Sequence, residues 1–204
     1  MAKQPPPAPP PEALPDGEPN AYLAKFKSSL VKRWSVTKSG VLYEMAELVA
    51  MLWALERPRE AAAVAAAVAA GVPEPPPLPG DRVNYSLWCP ATYSHALLVR
   101  LGGSTHPAAV AASRAALLED TGITRDNPEY LVSRVAEAGE TVAAPTEPRA
   151  MKMECQRLAR AVGHMTLYAE LAAGGDPVFA DVGPEADRLV PQLLSKLAAR
   201  LRSK

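Results

Sequence analysis

Residues 40–70 read GVLYEMAELVAMLWALERPREAAAVAAAVAA, two helical patterns separated at Arg57-Pro58. In the first, Val41, Met45, Leu48, Leu52 and Leu55 recur at three- and four-residue steps, with Glu44, Glu47 and Glu56 elsewhere on the wheel, which predicts an amphipathic helix. Pro58 suits the first turn of a second helix, where a missing N–H costs nothing, and it pushes Arg57 out of helical geometry. The second pattern is nearly all alanine, with Val64 and Val68 one turn apart, and Gly71 and Pro73 form its stop. Alanine combines high helix propensity with little bulk, so this helix can lie close against a neighbour. The pair predicts a tight antiparallel helical hairpin.

The same organisation recurs downstream. Leu87, Tyr93, Leu97, Leu98 and Leu101 form a bulky helical face after a candidate cap at Asn84, and Pro90 should kink that helix or delay its start. Gly102-Gly103 ends it. Pro107 then opens an alanine-rich helix capped by Thr105 or His106 and stopped at Gly122. Upstream, Asn20 caps a helix with Leu23, Phe26, Leu30 and Trp34 on its apolar face, and Ser39-Gly40 breaks the pattern before the central hairpin. Asn127-Pro128 starts a short helix that ends at Gly139. A long one follows from Glu147 to Ala173, with the seam Met151, Cys155, Leu158, Val162, Met165, Ala169 and Ala172. Gly174-Gly175 stops it. Pro184 opens the last helix, where Leu189, Val190, Leu193, Leu194, Leu197 and Leu201 face inward and Pro191 should bend it or mark a later start.

No run alternates in hydrophobicity between turns, so the expected class is all-α: stacked antiparallel hairpins of about eight helices in one domain over residues 20–204. Residues 1–19 hold eight of the 22 prolines and predict a disordered or polyproline II arm; its PxxP pattern suits aromatic grooves, but a plain solubilising tail is the preferred reading. Residues 73–80, PEPPPLPG, predict a stiff surface connection.

In the register that fits best, Met45, Leu48, Leu52, Ala61, Ala65, Val68 and Pro73 occupy the positions of the tetratricopeptide pattern, which this hairpin resembles. The second pair fits with a longer loop between its helices. The resemblance implies a stack of helical hairpins and a protein-binding scaffold, and it transfers no site.

Hydrophobic residues make up 48% of the 204 but aromatics only 5%, so Leu, Met, Val and Trp must supply most of the burial energy. The 22 basic and 22 acidic residues balance, which gives no global drive toward nucleic acid or membrane. No apolar run is long enough to span a bilayer or serve as a leader, and the expected compartment is the cytosol. Cys89 and Cys155 predict buried reduced thiols rather than a disulfide.

Charge is unevenly spread. Lys25, Lys27, Lys32 and Arg33 lie in an acid-free stretch and could meet an acidic protein or a nucleic-acid backbone, although Phe26 and Trp34 on the same helix read as core rather than stacking platforms. On the long helix Glu154, Arg157, Ala161, His164 and Tyr168 fall at three- and four-residue steps beside the seam and predict a polar stripe facing one groove. Carboxylate, imidazole and phenol are parts of a metal or hydrolytic bundle site, but such a site needs a Glu-x-x-His motif repeated on a second helix, and that motif occurs nowhere in the sequence. His106 reads as a capping or solvent residue, and His95 lies off the face of Cys89. There is no phosphate-binding glycine loop and no nucleophile elbow, so no cofactor is expected.

Three functions follow in order. The first is a non-enzymatic protein-binding scaffold, of which an immunity-type toxin inhibitor is one form, with Lys25, Lys27, Lys32, Arg33, Glu154, Arg157, His164 and Tyr168 as candidate contacts. The second is a metal or hydrolytic enzyme using the Glu154/His164/Tyr168 stripe. The third is nucleic-acid binding through residues 25–38.

Overall fold

The computed structural model describes residues 20–34, 38–71, 90–119, 127–140 and 147–203. These form eight helices and no strand among the described residues: α1 Ala21–Trp34, α2 Lys38–Ala54, α3 Pro58–Gly71, α4 Pro90–Gly102, α5 Pro107–Glu119, α6 Pro128–Glu140, α7 Pro148–Ala173 and α8 Gly183–Arg202. The fold is all-α. The proline-rich arm 1–19, the 73–80 connection, the Asn84 cap, Cys89, Gly122 and the Arg33 and Trp34 side chains lie outside the described residues.

Five of the eight helices open on a proline, at Pro58, Pro90, Pro107, Pro128 and Pro148, where the ring's fixed φ suits the first turn. α4 is described from Pro90, and the residues before it, on which the expected kink or delayed start turns, lie outside the described residues. Asn20 caps α1 through Leu23 N–H to Oδ1 at 2.9 Å, and its amide also donates to the Leu201 carbonyl at 2.9 Å, tying α1 to the end of α8. The α2–α3 turn is closed by Glu56 N–H to the Trp53 carbonyl and Arg57 N–H to the Leu52 carbonyl, a Schellman arrangement with Glu56 at φ 62°. Gly175, at φ 88°, occupies the same position after α7, where no side chain is strained.

Every helix contributes to one cluster of buried side chains. At its centre is α2, which packs on α1, α3, α4, α7 and α8. Here the structure corrects the amphipathic reading. Met45, Leu48 and Leu52 are buried, but so are Ala46, Val49 and Ala50 on the other sides, and Glu47 is 0% exposed. A helix apolar all round has no solvent face to give a charge. One break also differs from expectation: α2 runs through Ser39-Gly40. Of the two outcomes expected for Pro191, the later start is not found, since α8 runs from Gly183 through Pro191, whose ring sits on the exposed side.

α7 presents its seam as expected, with Cys155, Leu158, Val162, Met165 and Ala169 buried and Met151 and Ala172 half-buried. Its most extensive neighbour is α8, which contributes Leu189, Val190, Leu193, Leu197 and Leu201. Two glycines allow close approach. A β-carbon on Gly183 would stand 2.2 Å from that of Ala172, and one on Gly163 would stand 0.7 Å from Tyr93 Cε2. Arg100 at the end of α4 bridges Glu170 on α7, at 2.5 Å, and Asp187 on α8, at 2.7 Å.

Candidate functional site

Between α6 and α7 runs a groove of about 760 Å³, closed at its base by Leu193 of α8. Four of the five stripe positions on α7 line it: Glu154, Arg157, Ala161 and His164. Three- and four-residue steps keep them in register over these three turns. Tyr168 does not join them. Fourteen residues on from Glu154, it lies about 21 Å further along the helix axis, beyond His164, the last residue of α7 that lines the groove. Tyr168 is 2% exposed and packs on Phe179 with ring centroids 4.9 Å apart, and burial, then the charge of Glu129, pushes its phenol up to about 12.

Within the groove Arg157 holds Glu154 in a bidentate pair, Nε to Oε2 at 2.8 Å and an η-nitrogen to Oε1 at 2.9 Å. The Glu154 side chain is 11% exposed and the Arg157 side chain 46%, so the carboxylate lies beneath and the guanidinium faces outward. Arg134 of α6 pairs with Glu137 on the opposite rim. Apolar surface lies between the charges: Met153 is 62% exposed, and Leu131 and Val135 are half-buried.

Toward the core, Arg160 and Gln156 reach over the buried Glu47. Arg160 donates to Oε1 at 2.7 Å and Gln156 to Oε2 at 2.9 Å. Burial raises the Glu47 carboxyl, opposed by Arg160, by the hydrogen bond from Gln156 and by Lys152. The Tyr22 hydroxyl, buried without a hydrogen-bond partner, is raised by desolvation and then by Cys155 and Glu47. Cys155 is a free, fully buried thiol pushed up to about 11, first by burial and then by Glu154. At that value it is a packed apolar group and a poor nucleophile. This polar patch joins α1, α2 and α7, and the sequence reading missed it. Its signal was available: Gln156 and Arg160 stand one turn apart, and Glu47 sits within an otherwise apolar helix.

The basic stretch of α1 divides. Lys25 and Lys32 are exposed and, with Ala24, Ser28 and Ser29, line a shallow depression, whereas Lys27 is 5% exposed. The lysines therefore do not form one continuous solvent face. His95 Nδ1 meets the buried Ser113 hydroxyl at 2.8 Å across α4 and α5, an interhelical hydrogen bond. Among the described residues no group of three or more His, Cys, Asp or Glu is placed to hold a metal ion, and no helix is long and apolar enough to cross a membrane. Compared with known proteins, the chain matches no family model, no curated protein and no solved structure.

Proposed function

We propose that this chain is a non-enzymatic helical protein whose α6–α7 groove binds a protein partner. The observation that carries the reading is Met153, a large apolar side chain held 62% exposed among outward-facing guanidinium groups. An apolar anchor ringed by arginine suits a protein segment with apolar and acidic side chains, and methionine and arginine are both enriched at such interfaces. The arrangement does not favour catalysis: Glu154 is tied to Arg157, Tyr168 lies off the groove, and the Cys155 thiol is raised. The exposed α1 lysines stand as a second contact region for the same partner.

The test is capture from native extract, identification of the bound protein and direct titration with purified components. The expected result is a partner whose affinity falls at least tenfold with Met153→Glu or Arg157→Glu and is unchanged by Ala108→Glu on exposed α5. If the titration gives one affinity for all three variants, the groove is not the interface.

A further inference from the structure

The α6–α7 groove constrains the conformation of what it binds. Its walls are the sides of two helices, and from Leu131 to Val135 and from Met153 to His164 the backbone N–H and C=O groups are spent inside those helices. The walls therefore offer side chains alone. A segment that buries apolar groups there must satisfy its own backbone, and a helix does so without needing an edge to pair with.

The relief of the groove fits that shape. Ala150 and Ala161 are the small positions of the α7 wall, about 17 Å apart along the axis, and Met153 stands out between them. On the facing wall Leu131 and Val135 lie one turn apart, and Leu193 closes the base. Apolar side chains at three- and four-residue steps over about three turns of a partner helix reach both hollows and pass either side of Met153, the ridge-into-groove fit of packed helices.

Charge sets the sign of that helix's flanks. Arg157 spends two of its five N–H groups on Glu154, which lies beneath it and fixes the plane of the guanidinium. On the opposite rim Arg134 touches Glu137 through one η-nitrogen at 3.4 Å. Both forks keep donors for a further carboxylate, and an arginine already held in place loses less freedom when it binds one. Arg149, Lys152 and Arg160 extend the row of exposed cations along α7. A nucleic acid would meet the same cations, but no aromatic side chain lines the groove among the described residues, and its apolar floor has nothing to offer a phosphate chain.

We propose that the occupant of the groove is an acidic amphipathic helix of the partner protein, about three to four turns long, with its apolar stripe on Met153, Leu131 and Val135 and its carboxylates on Arg134 and Arg157. The assignment rests on the partner reading given above and adds the conformation, charge and length of the recognised segment.

The probe is a synthetic peptide of about 15 residues, four turns of helix, with leucines at three- and four-residue steps, glutamates flanking that stripe and alanine elsewhere. It is titrated against the full chain by fluorescence anisotropy. Three companion peptides carry the same residues in scrambled order, lysine for every glutamate, or a central proline. The parent peptide should bind at least tenfold more tightly than each companion. It should also lose at least tenfold in affinity with Met153→Glu, with Arg134→Glu/Arg157→Glu, and with Ala150→Trp, which fills a hollow at an exposed position. A smaller margin over any companion, or no binding of the parent, overturns the proposal. So does a groove filled by a second copy, seen as a dimer in sedimentation that Met153→Glu dissolves, or by single-stranded DNA whose binding the same substitution abolishes. If a captured partner depends on Met153 while the parent peptide does not bind, the helical occupant fails and the partner reading stands. If the peptide binds as expected and no cellular partner depends on the groove, the groove's preference stands and the partner reading alone fails.

Discussion

The ring of Tyr93 occupies the space a β-carbon on Gly163 would need, 0.7 Å from that position, while its hydroxyl donates to the Ala159 carbonyl at 2.6 Å. Glycine within a 26-residue helix costs about 1 kcal/mol relative to alanine, and the close approach of α4 to α7 explains why it is there.

Gly163→Ala should therefore destabilise the fold even though it raises helix propensity. Overpacking a buried ring against α7 should cost about 1–3 kcal/mol, read as a lower urea midpoint at unchanged slope. Tyr93→Phe, which keeps the ring and loses the hydroxyl bond, should cost about 1 kcal/mol. A neutral Gly163→Ala would mean that Tyr93 does not sit on the helix backbone.

Glu47 sets a pH dependence whose sign is fixed by its burial. Its folded-state pKa is raised, first by desolvation, so between the unfolded and folded values the native state holds the extra proton and stability falls as pH rises. Glu47→Gln cannot titrate. Relative to wild type, the glutamine variant should gain stability as pH rises from about 4.3 through the folded pKa, measured as urea midpoints over that range. A wild-type-minus-variant difference independent of pH would place the carboxylate in a solvated site.

Glu56 holds a left-handed conformation at φ 62° in the position where glycine ends most such turns. Glu56→Gly should relieve that strain and raise stability by about 0.5–1 kcal/mol, net of the greater freedom glycine has when unfolded. Its contact with Arg202, at 3.9 Å and largely exposed, is too weak to reverse the sign. Thermal melts of the two proteins decide it.

Cys155 should be inert while the chain is folded. With its thiol near 11, about one part in a thousand is thiolate at pH 8, before its burial is counted. In a Cys89→Ser background, alkylation at Cys155 should be at least 100-fold slower than in 6 M guanidinium. Comparable rates would show an open path to the thiol.

How far the sequence told this structure depended on how each helix divides its surface. α7 has one apolar face, so its seam from Met151 to Ala172 and its groove-lining residues Glu154, Arg157 and His164 could be read from spacing alone. α2 could not be read in the same way. Counting Met45, Leu48 and Leu52 revealed a stripe, yet Ala46, Val49 and Ala50 continue it around the helix, and the charge among them had to be buried. Its partner, Arg160, lies 113 residues along the chain, beyond any local pattern. The Tyr168 end of the stripe was misjudged because spacing shows which face of the helix a side chain takes and not what covers that face a turn further on, here Phe179.

The central burial of α2 also bears on synthesis. Its apolar surface is covered in part by α7 and α8, and Asn20 waits 181 residues for the Leu201 carbonyl that completes its bonds. On the ribosome, at about 5–20 residues per second, α2 would spend several seconds exposed before α8 emerges. Through the stage when α1 to α6 have left the tunnel and the rest have not, the nascent chain carries an uncovered apolar helix, which is the surface that makes such intermediates prone to aggregate.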